Sequence, residues 1–171
     1  MWRCEAERFQ TLPVLWNPLI DVANMTYSGV DNNTVTKTGG GIGWNASGVS
    51  QNPTTRFTVR FNRNGASNDV VIGFIAISDF TPTSDNCSKP NSFCLYTYNG
   101  TLHGNGNSYK AYGGDIADGS IIEYVRDLQR ATISFIVNGV DKGVAFTAVP
   151  REDLFAIANI HYQNISVTFV K

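Results

Sequence analysis

Charged residues are scarce in this chain of 171 residues. They make up 16% of the sequence, and 13 Lys and Arg against 14 Asp and Glu leave a formal net charge of −1. Proteins that bind nucleic acid through its phosphates carry an excess of Lys and Arg. The charge balance therefore argues against nucleic acid as the main partner.

The chain also lacks a hydrophobic run long enough to cross a bilayer. The longest strongly apolar stretch is 70–77, whereas a transmembrane helix needs about 20 residues. Residues 1–8 contain no apolar core of a secretory signal. We therefore expect no membrane association and an intracellular, cytoplasmic location.

Cysteine and histidine are rare. The three cysteines, Cys4, Cys87 and Cys94, are too few for the dense, even set of a secreted disulfide framework. Cys87 and Cys94 are able to form one disulfide if their Cα atoms lie within about 7 Å, although nothing else in the sequence argues for an oxidising compartment. Their spacing from His103 and His161 matches no zinc motif, so we expect no metal site.

Residue patterns of the common enzymes are missing as well. A retaining glycosidase needs two carboxylates about 5 Å apart, and the best candidates, Glu123 and Asp127, have Val125 between them on a partly apolar strand face. No Gly-x-Ser-x-Gly motif accompanies either histidine. The glycine run at 39–43 is not followed by Lys and Ser or Thr, which excludes a phosphate-binding loop. We expect no catalytic residues and no cofactor.

One strong β-hairpin pattern is present near the C-terminal end. Ile133, Phe135 and Val137 occupy every second position, which is the period of a strand with one buried face. An Asn-Gly dipeptide follows at 138–139, and the chain returns through 143–146. Because Asn-Gly is the strongest short-range signal for a hairpin turn, this segment is predicted to be a hairpin.

Shorter strand patterns fill the rest of the chain. Residues 56–62 alternate cleanly, and 70–77 is apolar on both sides, as in a central strand covered on both faces. We predict about ten strands in all, which indicates an all-β sandwich or barrel. Between strands we predict polar loops at 80–92 and 99–114, and one short helical turn at 150–154.

The hairpin segment resembles the signature of SPRY domains. In that family a strand, an Asn-Gly or Asp-Gly turn and a Gly-x-Ala-Phe strand follow one another, as in 132–139 and 143–146 here. Residues 118–124 look like the family's preceding strand, and 154–157 and 165–169 look like its last two strands.

The resemblance is looser upstream. Residues 15–37 resemble the family's opening segment, 71–76 its central strand, and 92–98 an aromatic-rich strand. Cys94 stands where the family usually has a glycine, so the packing around it is expected to differ.

The resemblance implies one domain over residues 13–171, preceded by a tail or short helix at 1–12. The implied fold is all-β, a bent sandwich of two antiparallel sheets. The implied function is non-catalytic binding of a protein or peptide through loops at one end of the sandwich, within a larger adaptor or ubiquitin-ligase assembly. A rigid sheet scaffold suits this function because fixed loop ends lower the ordering cost of binding.

Candidate partner-binding residues come from the resemblance and from the loop aromatics. Tyr162 stands where SPRY and SOCS-box proteins have an aromatic residue that lines their peptide pocket, and His161 and Gln163 flank it. Trp44 and Asn45 follow the glycine run, where the family's early loop borders the pocket. Two further loop aromatics complete the set, Tyr109 and Tyr112.

Two other functions are compatible with the sequence. A glycan-binding domain of the concanavalin-like kind shares the sandwich fold, and a structural domain within an assembly needs no binding loops. Each candidate also has a structural alternative, because Tyr162 can shield a sheet end and tryptophans such as Trp44 often belong to the core. The interaction module is favoured because no acid pair, metal cluster or secretion signal supports a lectin.

Overall fold

Thirteen β-strands form two antiparallel sheets in residues 12–65 and 70–171, which are the residues described by this computed structural model. The predicted tail or short helix at 1–12 lies outside these residues, apart from Leu12, which is exposed and irregular. The fold is thus the all-β sandwich of two antiparallel sheets expected from the sequence.

The strands are numbered in chain order. The seven-stranded sheet has the order β1 (Met25–Ser28), β2 (Thr34–Lys37), β13 (Ser166–Phe169), β4 (Arg56–Asn62), β9 (Ile121–Asp127), β10 (Thr132–Val137) and β11 (Val140–Phe146). The six-stranded sheet has the order β3 (Ser47–Pro53), β12 (Leu154–Ile160), β5 (Val70–Ala76), β6 (Ser92–Tyr96), β7 (Thr101–Gly104) and β8 (Asn107–Ala111).

The main core lies between the two sheets and is built from alternate residues of their strands. Ile133, Phe135 and Val137 of β10 all point into it, as predicted. Aromatic rings join the two sheets across this core. Phe57 of β4 stacks on Tyr124 of its own sheet, with centroids 4.5 Å apart, and meets the edge of Phe74 on β5 at 5.0 Å.

The six-stranded sheet also has an apolar outer face. Val71 and Ile75 of β5 pack there in a second cluster with Ile157 of β12. The cluster is covered by the segment that joins β5 to β6, residues 77–91, which includes two 3-10 turns, Ile77–Asp79 and Asn86–Ser88. This second layer confirms the prediction of a central strand buried on both faces over Val70–Ala76, whereas Ile77, the last residue of the predicted strand, lies in the following 3-10 turn and is exposed.

The β10–β11 hairpin has the predicted turn. Asn138 and Gly139 have φ angles of 49° and 80°, and Val137 pairs directly with Val140 across the turn. Two consecutive positive φ angles are the requirement of the tight hairpin turn that Asn-Gly favours.

Two local predictions were wrong. Residues 99–114 are not a loop, because β7 and β8 form a hairpin there around Asn105 and Gly106. Its edge strand β8 is mostly exposed and so lacks the alternation that marks a strand with one buried face, although β7 is largely buried. No helical turn forms at 150–154, where the Arg126 guanidinium binds two carbonyl oxygens and the chain leads into β12. Across the described residues, no helix is long and apolar enough to span a membrane.

Candidate functional site

Two connections meet at one end of the sandwich, the β2–β3 loop and the β12–β13 turn. The Gly43 amide donates to the carbonyl oxygen of His161 at 3.0 Å. The Gln163 side-chain amide donates to the carbonyl oxygen of Thr38 at 3.1 Å. The loop with the glycine run and the turn with Tyr162 therefore form one surface.

The Lys37 ammonium joins these two connections from below. Lys37 ends β2, and its side chain is fully buried. Its Nζ donates to the carbonyl oxygens of Gly43 (2.7 Å), His161 (2.7 Å) and Ile160 (3.3 Å), and to Asn45 Oδ1 (2.8 Å). Burial lowers the pKa of Lys37, against the opposing attraction of Asp21. A single buried cation thus fixes the backbone on both sides of the surface.

Asn45 and Asp21 brace the same loop. Asn45 donates from Nδ2 to the carbonyl oxygen of Gly40 at 2.9 Å while accepting from Lys37. Asp21 accepts from Asn24 Nδ2 at 3.0 Å and from the Ser47 amide at 3.2 Å. Burial raises the pKa of the Asp21 carboxyl, and these two hydrogen bonds oppose that shift. Both ends of the Asn45 side-chain amide are therefore used in hydrogen bonds that hold the β2–β3 loop.

Aromatic rings connect the loop end of the surface to the outer face of the six-stranded sheet. The Tyr162 ring lies 4.6 Å from the His161 ring, and His161 lies 4.9 Å from Trp44. Trp44 in turn meets the edge of Tyr96 on β6, with centroids 5.8 Å apart. Both Trp44 and Tyr96 rest on the second apolar cluster.

The ring contacts continue across β6, β7 and β8. Tyr96 contacts Tyr98 at 6.0 Å and His103 at 5.3 Å, and His103 contacts Tyr109 at 4.6 Å. We call the seven connected residues the aromatic surface: Trp44, Tyr96, Tyr98, His103, Tyr109, His161 and Tyr162.

Access to the aromatic surface is uneven. Tyr98 and Tyr109 are 46% and 62% exposed, and the other five residues are half-buried. Tyr109 also has a φ of 56°, an outlier for a bulky residue. Burial lowers the pKa of His103, against the opposing attraction of Asp85. None of the seven residues of the aromatic surface is Lys, Arg, Asp or Glu.

The predicted contact residues divide into three groups. Tyr162, His161, Trp44 and Tyr109 belong to the aromatic surface, while Gln163 and Asn45 hydrogen-bond within the loops that support it. Tyr112 does not belong to it: the Tyr112 ring packs against Phe135 at 5.7 Å, and its hydroxyl donates to the carbonyl oxygen of Gly143 at 2.6 Å.

Sequence reasoning missed three members of the surface and the lysine beneath it. Tyr96 and Tyr98 lie in a stretch rich in aromatic residues, and their spacing of two places them on one face of an extended chain. His103 was assigned to a loop because β7 was not recognised. Lys37 carried no local signal, since its partners lie in other segments.

The carboxylates considered for catalysis have structural roles. Glu123 forms an ion pair with Arg56 on the neighbouring strand β4. Asp127 accepts from the amides of Gln129 and Arg130, both at 2.9 Å, in the turn after β9. In the described part of the chain, no group of three or more His, Cys, Asp or Glu side chains is placed to hold a metal ion.

Two concave pockets of about 330 and 750 Å³ lie at the opposite end of the sandwich. Both are lined by residues 12–14 and by residues 54–55, next to the start of β4. Neither is lined by any residue of the aromatic surface, so these pockets are separate from it.

The family model of the SPRY domain matches residues 27–171. The chain belongs to the SPRY domain family. SPRY domains are in general non-catalytic modules, and protein–protein interaction is typical of them. No curated protein matches the sequence.

Solved structures of SPRY domains share the fold. A human SPRY domain is 18% identical, with a TM-score of 0.70, and the match covers 85% of this chain and 95% of that one. The SPRY domain of human HERC1 is 18% identical, with a TM-score of 0.71 and coverages of 91% and 97%. The PSpry domain of TRIM65 is 12% identical, with a TM-score of 0.65 and coverages of 93% and 92%.

Proposed function

We propose that this SPRY domain binds a protein partner by docking an extended peptide segment of that partner onto the aromatic surface. The observation that carries the proposal is the unbroken contact of seven aromatic rings, from Tyr162 in the β12–β13 turn to Tyr109 on β8. The loops at one end of the sandwich supply Trp44, His161 and Tyr162. The six-stranded sheet supplies Tyr96, His103 and Tyr109, and the β6–β7 turn supplies Tyr98.

The chemistry of the aromatic surface suits a peptide. Tyr and Trp combine a large apolar face with a polar tip, and both are enriched among the residues that dominate binding energy. Lys37 and Asn45 hold the β2–β3 loop through hydrogen bonds that do not involve a partner. A surface that is ordered before binding loses less conformational entropy when the partner docks.

We further propose that the domain works inside the cell, as the recognition part of an adaptor or ubiquitin-ligase assembly. The cysteine content supports the intracellular location, because three cysteines in the whole chain are fewer than the dense set of a secreted disulfide framework. The membership in the SPRY family supports the recognition role.

One observation also favours glycan binding as a second candidate. Trp44 and Tyr96 are half-buried and Tyr109 is exposed, and aromatic rings with accessible faces are able to pack against sugar rings. The experiment that tests the proposal must therefore distinguish peptide binding from glycan binding.

The test uses peptides selected from a random display library on the whole chain, with a glycan array in parallel. Trp44→Ala and Tyr109→Ala are each expected to weaken the selected peptides about tenfold or more, the effect of losing an aromatic anchor. Tyr112→Phe is the matched control, because Tyr112 lies outside the aromatic surface. Melting temperatures of all variants are measured alongside.

Two results would overturn the proposal. One is a set of selected peptides whose affinity is the same for Trp44→Ala, Tyr109→Ala and the unmodified domain. The other is a glycan array with strong hits that Trp44→Ala abolishes, combined with no peptide binding, which would assign the surface to glycans.

A further inference from the structure

Two buried thiols lie in contact beneath the aromatic surface. Cys94 is on β6 and Cys87 is in the 3-10 turn Asn86–Ser88, within the segment 77–91 that covers the outer face of the six-stranded sheet. The Cys94 thiol donates to Cys87 Sγ, with the two sulfur atoms 2.8 Å apart. Both side chains are almost fully buried.

The position of Cys87 is set by its neighbour Asn86. The fully buried Asn86 amide donates to Ser47 Oγ at 3.0 Å and to the carbonyl oxygens of Thr81 (2.8 Å) and Ser84 (3.1 Å). Cys87 itself donates to the carbonyl oxygen of Val71 at 3.7 Å. The turn therefore presents Cys87 to Cys94 in a defined place.

We propose that Cys87 and Cys94 are a site of reversible disulfide formation, which links the covering segment 77–91 covalently to β6. Glutathione disulfide is the class of oxidant. One cysteine attacks glutathione disulfide and displaces a first glutathione thiol, giving a mixed disulfide on the protein. The second cysteine then attacks the protein sulfur of that mixed disulfide and displaces a second glutathione. Two electrons leave the cysteine pair, and two glutathione thiols carry away the two protons.

Burial controls when this exchange occurs. The thiolate is the attacking species, and burial raises the pKa of the Cys87 thiol well above its usual range. Neither sulfur is reachable in the closed domain, so exchange requires the covering segment to open. The bond therefore forms readily during folding and slowly once the segment has closed over the sheet.

The disulfide would stabilise the second apolar cluster, on which the aromatic surface rests. The second apolar cluster contains both cysteines, and Trp44 and Tyr96 pack against it. A cross-link between residues 87 and 94 restricts the unfolded chain and prevents the segment from separating from β6. This consequence does not depend on what the aromatic surface binds.

The test refolds the whole chain carrying Cys4→Ser, so that only the proposed pair remains. Refolding is done in glutathione mixtures ranging from fully reduced to fully oxidised, and free thiols are then alkylated. In the oxidised mixtures we expect both cysteines to escape alkylation, the intact mass to fall by two hydrogen atoms, and a peptide to map the 87–94 link. The melting temperature should rise by about 5 °C or more relative to the reduced domain.

Alkylation of both cysteines, or glutathione left on either of them, in the fully oxidised mixture would overturn the proposal. Cys94→Ser should abolish both the mapped link and the rise in melting temperature. Because that variant can fail to fold, the reversal is also measured on the Cys4→Ser chain. Adding dithiothreitol to its oxidised form should return the melting temperature to the reduced value, and an unchanged value would contradict the proposed effect.

Discussion

At the scale of single residues, Lys37 determines the shape of the candidate site more than any aromatic ring does. A buried ammonium is costly unless its hydrogen bonds are satisfied. Lys37 finds four acceptors within 3.3 Å, in the β2–β3 loop and at the end of β12. The same hydrogen bonds give a buried donor to the carbonyl oxygens of Gly43, Ile160 and His161. The lysine and the two connections therefore depend on each other.

Lys37→Met should destabilise the domain by about 2–4 kcal/mol, because the three carbonyl oxygens and Asn45 Oδ1 lose a buried donor. Urea denaturation followed by tryptophan fluorescence measures the change. Lys110→Met is the matched control, since Lys110 is exposed on β8 and its replacement should change stability by less than about 0.5 kcal/mol. Equal stability of the two variants would show that the buried ammonium does not support the loops.

Tyr112 provides a pH-dependent prediction. Burial raises the pKa of its phenol from 10.0 to about 12, and its hydroxyl donates to the carbonyl oxygen of Gly143. A group whose pKa is higher in the folded state stabilises it below the unfolded pKa, and this contribution is lost as the pH rises through the folded pKa. The stabilisation from Tyr112 should therefore be full at pH 8 and decline between pH 10 and 12.

Tyr112→Phe should cost about 0.5–1.5 kcal/mol at pH 8, the usual contribution of one hydrogen bond. The stability difference between wild type and variant should shrink from pH 10 upwards. Urea denaturation at a series of pH values measures it. A difference that stays constant to pH 12 would mean that the phenol ionises equally in the folded and unfolded chains.

At the scale of elements, the close approach of β5 and β6 depends on one glycine. Gly73 of β5 lies opposite Cys94 of β6. A Cβ at Gly73 would collide with the Phe93 carbonyl oxygen and lie 2.6 Å from the Cα of Cys94. Because the obstacle is backbone, the two strands would have to separate to accept any side chain.

Gly73→Ala should therefore destabilise the domain by about 3 kcal/mol or more. Gly113→Ala is the matched control, since its φ is not in the left-handed region and its Cβ would meet only the Gly100 carbonyl oxygen, at 3.9 Å. Thermal denaturation of the two variants compares them directly. Similar melting temperatures would show that β5 and β6 tolerate a wider spacing.

The elements differ in how well local sequence predicts them. The β10–β11 hairpin was predicted because its buried face alternates strictly and its turn needs positive φ at both Asn138 and Gly139. The β7–β8 hairpin was missed although Asn105-Gly106 is the same turn signal. Its edge strand β8 is mostly exposed and lacks a buried face to produce alternation. Both hairpins have an Asn-Gly turn, so the alternation that comes from a buried strand face made the difference in predicting them from sequence.

At the scale of the whole molecule, we expect charge to contribute little to the binding of a peptide. The net charge is −1, and none of the seven residues of the aromatic surface is Lys, Arg, Asp or Glu. Salt weakens attraction between exposed charges but has little effect on apolar contact. The proposed peptide docking should therefore depend on packing.

The affinity of selected peptides should change by less than about twofold between 0.05 and 0.5 M NaCl. Isothermal titration calorimetry at several salt concentrations measures it, and the heat capacity change should be negative because apolar surface is buried. A tenfold loss of affinity in high salt would indicate a charged contact region elsewhere on the domain.

Local sequence predicted the β10–β11 hairpin, its tight turn at 138–139 and the all-β class, because alternation and turn chemistry act between neighbouring residues. Which distant side chains meet depends on the tertiary arrangement of the strands. Trp44 reaches Tyr96 and His161 because the strand order places β3, β12, β5 and β6 side by side. Lys37 finds its acceptors in the same way. Strand order depends on how the two sheets pack against each other. Because this packing joins residues that are far apart in the chain, it produces no periodic pattern in the sequence.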